Sequence, residues 1–280
     1  MIMSVDLAAA GLINISYPLQ IRDKVEQTVQ SWKWFCELHS DIKKSFAYEN
    51  EGNLDGAGYE LKLDKGSTKD LKEDFHYNEK SFDRLRRTAN DSKEPHAFSF
   101  IFDAKDLVQA LTSFVSDFAD GLEGLLDLRG FRQEVIDSRP NWILRSLHYF
   151  GDRQPGEMLA TPHADKSGFT LHLFESHLGL EYLDMATRAW REMPMAEGQT
   201  VIISNQQLQY KTQGRLKGLC HRVIATEETA KVGRYSMVLF VPLLQTPKFD
   251  TRGKGRQQDL PPGWNYDISH EEFSQYFEPL

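Results

Sequence analysis

The sequence predicts a mainly β chain with flanking helices, in which a jelly roll is supported by one long helix. Two observations carry that expectation. Residues 142–242 hold a succession of short apolar strands separated by turn residues, the pattern of a sandwich or barrel. Ahead of them, Leu107, Leu111, Phe114, Phe118, Leu122 and Leu125 recur at steps of three and four, the stripe of a helix with one packing face.

Taken in order, residues 11–17 alternate and read as a short strand. Residues 22–38 read as a helix whose Val25, Val29, Trp32, Phe35 and Leu38 share a face. Residues 50–74, rich in Gly, Asp and Lys, read as a surface loop that could cover a site mouth. Residues 80–95 read as a polar connection, and residues 98–102 as a short strand or the approach to the long helix. Asp103 is the expected N-cap of that helix and Gly130 lies just past its end. The expected strands are then 142–150, 168–174, 179–183, 199–204, 221–226 and 235–242. Ser269 with Glu272 three positions on suggests a capped terminal helix. At 280 residues the expectation is one domain over 1–280: a mostly helical region 1–140, the jelly-roll core 141–245 and an extension 246–280.

Composition narrows the function classes. With 33 basic and 41 acidic residues the net charge is −8, which disfavours nucleic acid or an anionic membrane as a partner held by bulk charge. No apolar run approaches the roughly 18 residues of a membrane span. The first residues lack the basic start of a signal peptide. Only two cysteines occur, Cys36 and Cys220, far apart, which suits a reducing cytoplasm and gives no disulfide framework. The expected partner is a small-molecule substrate; nothing in the sequence bears on oligomeric state.

The chemistry-bearing residues fall inside the strand-rich segment. His163 and Asp165 are one residue apart, so in an extended chain they point to one face. His221 follows after the 55 residues 166–220, as a ligand from a distant strand would. Two imidazoles and a carboxylate can take one face of a metal and leave the rest open, the ligand set of mononuclear non-haem Fe(II) oxygenases. A structural zinc site would need a fourth Cys or His, and neither cysteine has such spacing; Cys220 should point away from His221, as a buried structural thiol. Arg234 and Ser236 also share a strand face, a guanidinium fork beside a hydroxyl suited to gripping a carboxylate.

With these residues in place, the sequence resembles the Fe(II)/2-oxoglutarate-dependent dioxygenases of the isopenicillin N synthase-like group. The resemblance extends over most of the chain. It runs through Ile13 to Tyr17, Trp32 and Phe35, Gly58-Tyr59, Lys72 to Phe75, Leu144 to Tyr149, the stretch HADKSGFTLHLF from His163, Gly179-Leu180-Glu181, Trp190, Pro194 and Asn205. It ends on His221-Arg222-Val223 and Arg234-x-Ser236. The chain departs from the group at Asn205-Gln206-Gln207, at Leu147-His148 and at Phe150, and in the 13 positions from His221 to Arg234.

The resemblance implies a double-stranded β-helix, the cupin-like form of the jelly roll. It implies Fe(II) held by His163, Asp165 and His221, with 2-oxoglutarate as co-substrate, O2 as oxidant and ascorbate as an optional reductant. Arg234 and Ser236 would hold the distal carboxylate, and Tyr149 and Asn205 are candidates to touch the co-substrate. The implied reaction couples decarboxylation of 2-oxoglutarate to succinate with hydroxylation, desaturation or cyclisation of a small molecule. Two alternatives stand beside it: an iron oxidase that does not use 2-oxoglutarate, and a non-catalytic metal-binding jelly roll. His172, His148 and Arg145 are weaker candidates, each with a packing or ion-pair reading.

Overall fold

Two antiparallel sheets lie face to face, and the space between them is the site. The computed structural model describes residues 7, 10–48, 56–63, 71–196, 198–256 and 259–278. In chain order the elements that matter are β1 (Leu12–Ser16), α1 (Leu19–Cys36), α2 (Ser40–Ser45), β2 (Gly58–Lys62), β3 (Lys72–Tyr77), α3 (Phe82–Ser92), α4 (Pro95–Leu126) and α5 (Phe131–Asp137). The strand-rich half follows as β4 (Ile143–Tyr149), β5 (Met158–His163), β6 (Phe169–Glu175), β7 (Leu180–Leu183), β8 (Trp190–Glu192) and β9 (Gln199–Ser204). It closes with α6 (Gln206–Lys211), β10 (His221–Ile224), α7 (Thr229–Val232), β11 (Arg234–Val241) and α8 (His270–Ser274).

The major sheet has the order β1-β9-β6-β11-β4-β3-β2 and the minor sheet β5-β10-β7-β8. This is the expected mainly β double-stranded β-helix with flanking helices. Alternation along β11 shows how it works. Arg234, Ser236, Val238 and Phe240 line the cavity, whereas Met237, Leu239 and Val241 join the core beneath the helices. One face of the major sheet is therefore chemical and the other is structural.

The structural face rests on α4. Its buried residues, from Ala97 through Phe100, Ile101, Ala104, Leu107, Val108, Leu111 and Val115 to Leu122, continue one stripe along the whole helix. Phe118 meets Phe169 of β6 with ring centroids 5.1 Å apart. Trp32 and Phe35 of α1 pack on Phe100 at 5.2 and 5.3 Å. The buried Trp32 indole donates to the Leu147 carbonyl at 3.3 Å, tying α1 to β4.

Several expectations need correcting. The long helix starts at Pro95, with Glu94 at its N-cap, and Asp103 lies inside it, where its carboxylate accepts from Gln27 at 2.7 Å. Proline at the first helical position is pre-set for that start, and residues 98–102 continue the helical stripe. The helix ends on Asp127 in the left-handed conformation, and Gly130 instead precedes α5. Residues 80–95 are not a mere connection. They contain α3, which buries only Leu85 and Ala89 and so hides in a polar sequence. Within 50–74, residues 58–62 and 72–74 are strand; residues 50–55 and 64–70 lie outside the described set. Every residue of β3 (KEDFHY) is buried despite five ionisable side chains.

Past β11, Phe249, Trp264, Phe273 and Phe277 form a separate aromatic cluster. It brings Tyr266 against the segment leading into β10, where the Cys220 N–H donates to the tyrosine hydroxyl at 2.6 Å. The Ser269 side chain accepts from the Glu272 N–H, capping α8 as expected. No helix among the described residues is long and apolar enough to cross a membrane.

Candidate metal centre and carboxylate clamp

Strand pairing builds the metal centre. β5 and β10 are antiparallel neighbours, and His163 stands directly opposite His221. Asp165 follows two residues beyond the end of β5. The ligand-capable atoms of the three residues all lie within 4.8 Å of one another. Asp165 Oδ1 is 3.6 Å from His163 Nε2 and 4.0 Å from His221 Nε2. Two ligands of one first-row ion, each about 2.1 Å from it, can be at most about 4.2 Å apart, so both pairs can share an ion.

The hydrogen bonds behind the ligands decide what the centre wants. His163 Nδ1 sits 2.6 Å from the Thr161 carbonyl, and His221 Nδ1 3.2 Å from the Leu219 carbonyl. A carbonyl can only accept, so each Nδ1 carries the proton and each neutral ring turns the Nε2 lone pair inward. Asp165 Oδ2 accepts from the Thr170 hydroxyl at 2.7 Å, which leaves Oδ1 facing the two imidazoles. Three acceptors converge with no donor of their own between them. A cation fits that arrangement.

The titration behaviour agrees. Burial pushes the Asp165 carboxyl up, but the His221 and His163 imidazoles and the Thr170 hydroxyl outweigh it and hold it below the ordinary range. Burial, then the charge of His163, pushes His221 down to about 3. Burial also lowers His163, but Asp165 raises it more. Cys220 points away from the centre, is buried, and burial raises its thiol to about 11.

The centre forms one end of a cavity of about 340 Å³. Arg234 and Ser236 line the same cavity on β11. Arg234 is 1% exposed. Its guanidinium does hold a carboxylate: Glu175, with Arg234 Nη2 2.7 Å from Oε2. The Ser236 hydroxyl donates to Glu175 Oε1 at 3.0 Å, and Arg234 Nη2 donates to the His177 carbonyl at 3.2 Å. The carboxylate that Arg234 and Ser236 meet here is Glu175, which the sequence did not single out. Strict alternation along β6 would put residue 174, not 175, beside Thr170 and His172. A register shift between Met237 and Val238 in the β6–β11 pairing breaks that alternation and turns Glu175 inward.

Tyr149 lines the cavity at the end of β4, opposite Arg234, with the Lys72 ammonium 5.4 Å from its ring centroid. Asn205 does not. It is fully buried, its carboxamide 2.7 Å from the Ser167 and Thr170 hydroxyls. Its place is behind Thr170, which in turn holds Asp165. His172 lines the cavity, with Nδ1 3.1 Å from Glu175 Oε1. Arg145 lines it too, bonded to His76 and lying over the Phe240 ring. His148 does not line it: Nδ1 is 2.9 Å from Glu73, and the ring stacks on Tyr235.

A jelly roll in which a His-x-Asp…His cluster faces an arginine–serine pair has the geometry of an open metal centre beside a carboxylate site. Comparison with known proteins shows what the chain resembles. Residues 140–242 match the 2OG-Fe(II) oxygenase superfamily. The chain is similar to the clavatol oxidase claD of Penicillium crustosum, 35% identical over 112 residues, covering 38% of this chain and 32% of that protein. It is also similar to a 2-oxoglutarate-dependent dioxygenase of Didymella fabae, 37% identical over 148 residues, covering 50% of this chain and 39% of that protein. The matches thus span between 32% and 39% of the length of these curated relatives. Among solved structures, a 2OG-Fe(II) oxygenase family protein of Caulobacter crescentus superposes with a TM-score of 0.70 at 27% identity, over 97% of this chain and 90% of that one. The match to the 2OG-Fe(II) oxygenase superfamily thus covers the strand-rich segment from residue 140 to 242.

Proposed function

We propose that this chain is a non-haem Fe(II)- and 2-oxoglutarate-dependent dioxygenase of the isopenicillin N synthase-like group, acting on a C–H bond of a small molecule. The observation that carries the reading is the convergence of His163 Nε2, Asp165 Oδ1 and His221 Nε2, with both Nδ1 atoms committed to carbonyls. His163, Asp165 and His221 would hold the iron. Iron and 2-oxoglutarate together supply O2 activation coupled to decarboxylation of the oxoacid to succinate and carbon dioxide. The chain's own work is positional. Thr170 fixes the Asp165 carboxylate, the Thr161 and Leu219 carbonyls fix the imidazoles, and Arg234 with Ser236 orients the distal carboxylate of the oxoacid. Tyr149 stands on the wall beside Arg234. Leu147, Leu180, Val223 and Val238 supply the apolar wall that keeps water from the reacting face.

An iron oxidase that does not use 2-oxoglutarate is the second reading, and Glu175 in the clamp favours it. One experiment separates the two. Protein loaded with Fe(II) under argon is mixed with 2-oxoglutarate and then with O2, with and without a panel of small molecules. Succinate formed in step with O2 consumed is the expected result. Oxygen uptake with a panel compound but without succinate would replace the first reading by the second.

A further inference from the structure

We propose that Glu175 is an internal competitor for the distal carboxylate of 2-oxoglutarate and sets how tightly this chain binds its co-substrate. The inference rests on the 2-oxoglutarate reading above. It starts from the donors of the clamp. The Ser236 hydroxyl has one proton, and it goes to Glu175 Oε1. Arg234 Nη2 is shared between Glu175 Oε2 and the His177 carbonyl, while the buried Nε has no partner. A second carboxylate entering this site would find the Ser236 proton and Arg234 Nη2 engaged and a like charge within contact distance, in surroundings too buried for water to screen it.

Glu175 is held there by the sheet. It pairs with Ser236 across the β6–β11 ladder, and the register shift beside that pair aims its side chain into the cavity. Its side chain is 5% exposed. Glu175 Oε1 also lies 3.1 Å from His172 Nδ1 while it is in the clamp, a partner outside the Arg234–Ser236 pair that it would keep on turning out. The site therefore has two states: Glu175 on Arg234 and Ser236, or the oxoacid there with Glu175 turned out. Only the second binds 2-oxoglutarate through both of its ends. If that state is a tenth of the population or less, the apparent affinity falls about tenfold or more. An oxoacid with no distal carboxylate makes no use of the clamp and escapes this competition.

The test compares wild type, E175Q, E175D and E175A, each loaded with Fe(II) under argon and titrated calorimetrically with 2-oxoglutarate and with pyruvate. E175Q keeps the shape and an acceptor for Ser236 while removing the charge, so it decides the question should E175A fail to fold. Thermal unfolding of each variant without oxoacid reports folding separately. The expected result is 2-oxoglutarate binding about tenfold tighter or more in E175Q, with pyruvate binding within about twofold of wild type. E175D, retaining the charge on a shorter arm, should fall between. Wild-type binding of 2-oxoglutarate that E175Q leaves unchanged or weakens would overturn the inference and leave the co-substrate reading standing. Absence of 2-oxoglutarate binding in wild type and in every folded variant, with Fe(II) still bound, would overturn both.

Discussion

The molecule contains two clusters that look alike by composition and behave as opposites. His163, Asp165 and His221 gather their ligand atoms within 4.8 Å, and so do Cys36, Glu73 and His148. The difference is what occupies the centre. Glu73 Oε2 already receives the Lys43 ammonium and the Tyr59 hydroxyl, each at 2.7 Å, and Oε1 faces His148 at 2.9 Å. Burial raises the Cys36 thiol, and the Glu73 charge raises it further, so no thiolate is offered. The outer cluster is a finished ion-pair network. The inner one presents three acceptors to one another and needs a cation from outside. Proximity of ligating residues says little until the donors around them are counted.

The largest expected effect tests that contrast. D165A or H163A should lose stoichiometric Fe(II) by metal analysis, while C36A and H148A should retain it. Iron lost from the second pair, or kept by the first, would reverse the assignment.

The outer cluster should instead carry stability. E73A breaks a buried network and is expected to cost about 3–5 kcal/mol in denaturant unfolding, with iron content unaltered. Acid should expose the same network. Burial raises the Glu73 carboxyl, but bonds from His148, Lys43 and Tyr59 overcome this and hold it at about 2, against 4.5 ordinarily. Its contribution is therefore complete above pH 4.5 and is lost as pH falls from 4.5 toward 2, because the unfolded chain takes up the proton first. Unfolding free energies of metal-free protein across that window should slope less in E73Q than in wild type; equal slopes would remove Glu73 from the account.

The smallest effect concerns the support of the inner centre. T170V removes the bond to Asp165 Oδ2 and should weaken Fe(II) binding about 10–100-fold by competition with a chelator. Unchanged affinity would mean that the ladder alone holds the carboxylate.

The clustering of His163, Asp165 and His221, the shared face of Arg234 and Ser236 and the strand-rich core were legible in the sequence, because alternation and spacing are local properties. What escaped depends on pairing. β3 was illegible because its ionisable residues are buried against partners far away in sequence: Lys43 and His148 for Glu73, and Arg145 for His76. Asn205 follows the same rule: its side chain meets Ser167 and Thr170, 38 and 35 positions away. Glu175 needed the β6–β11 register shift, which leaves no mark in a run such as FTLHLFE.

The opposition of His163 and His221 in the β5–β10 ladder has a consequence for how the protein is made. The two residues are 221 − 163 = 58 positions apart, so this contact closes only after the intervening chain has found β6, β7, β8 and β9. Contacts of such separation form late, because the entropy of closing the loop must be met first. A newly made chain has His163 and Asp165 side by side long before the third ligand arrives. An ion held by all three residues would therefore mark the molecules in which β5 and β10 have paired.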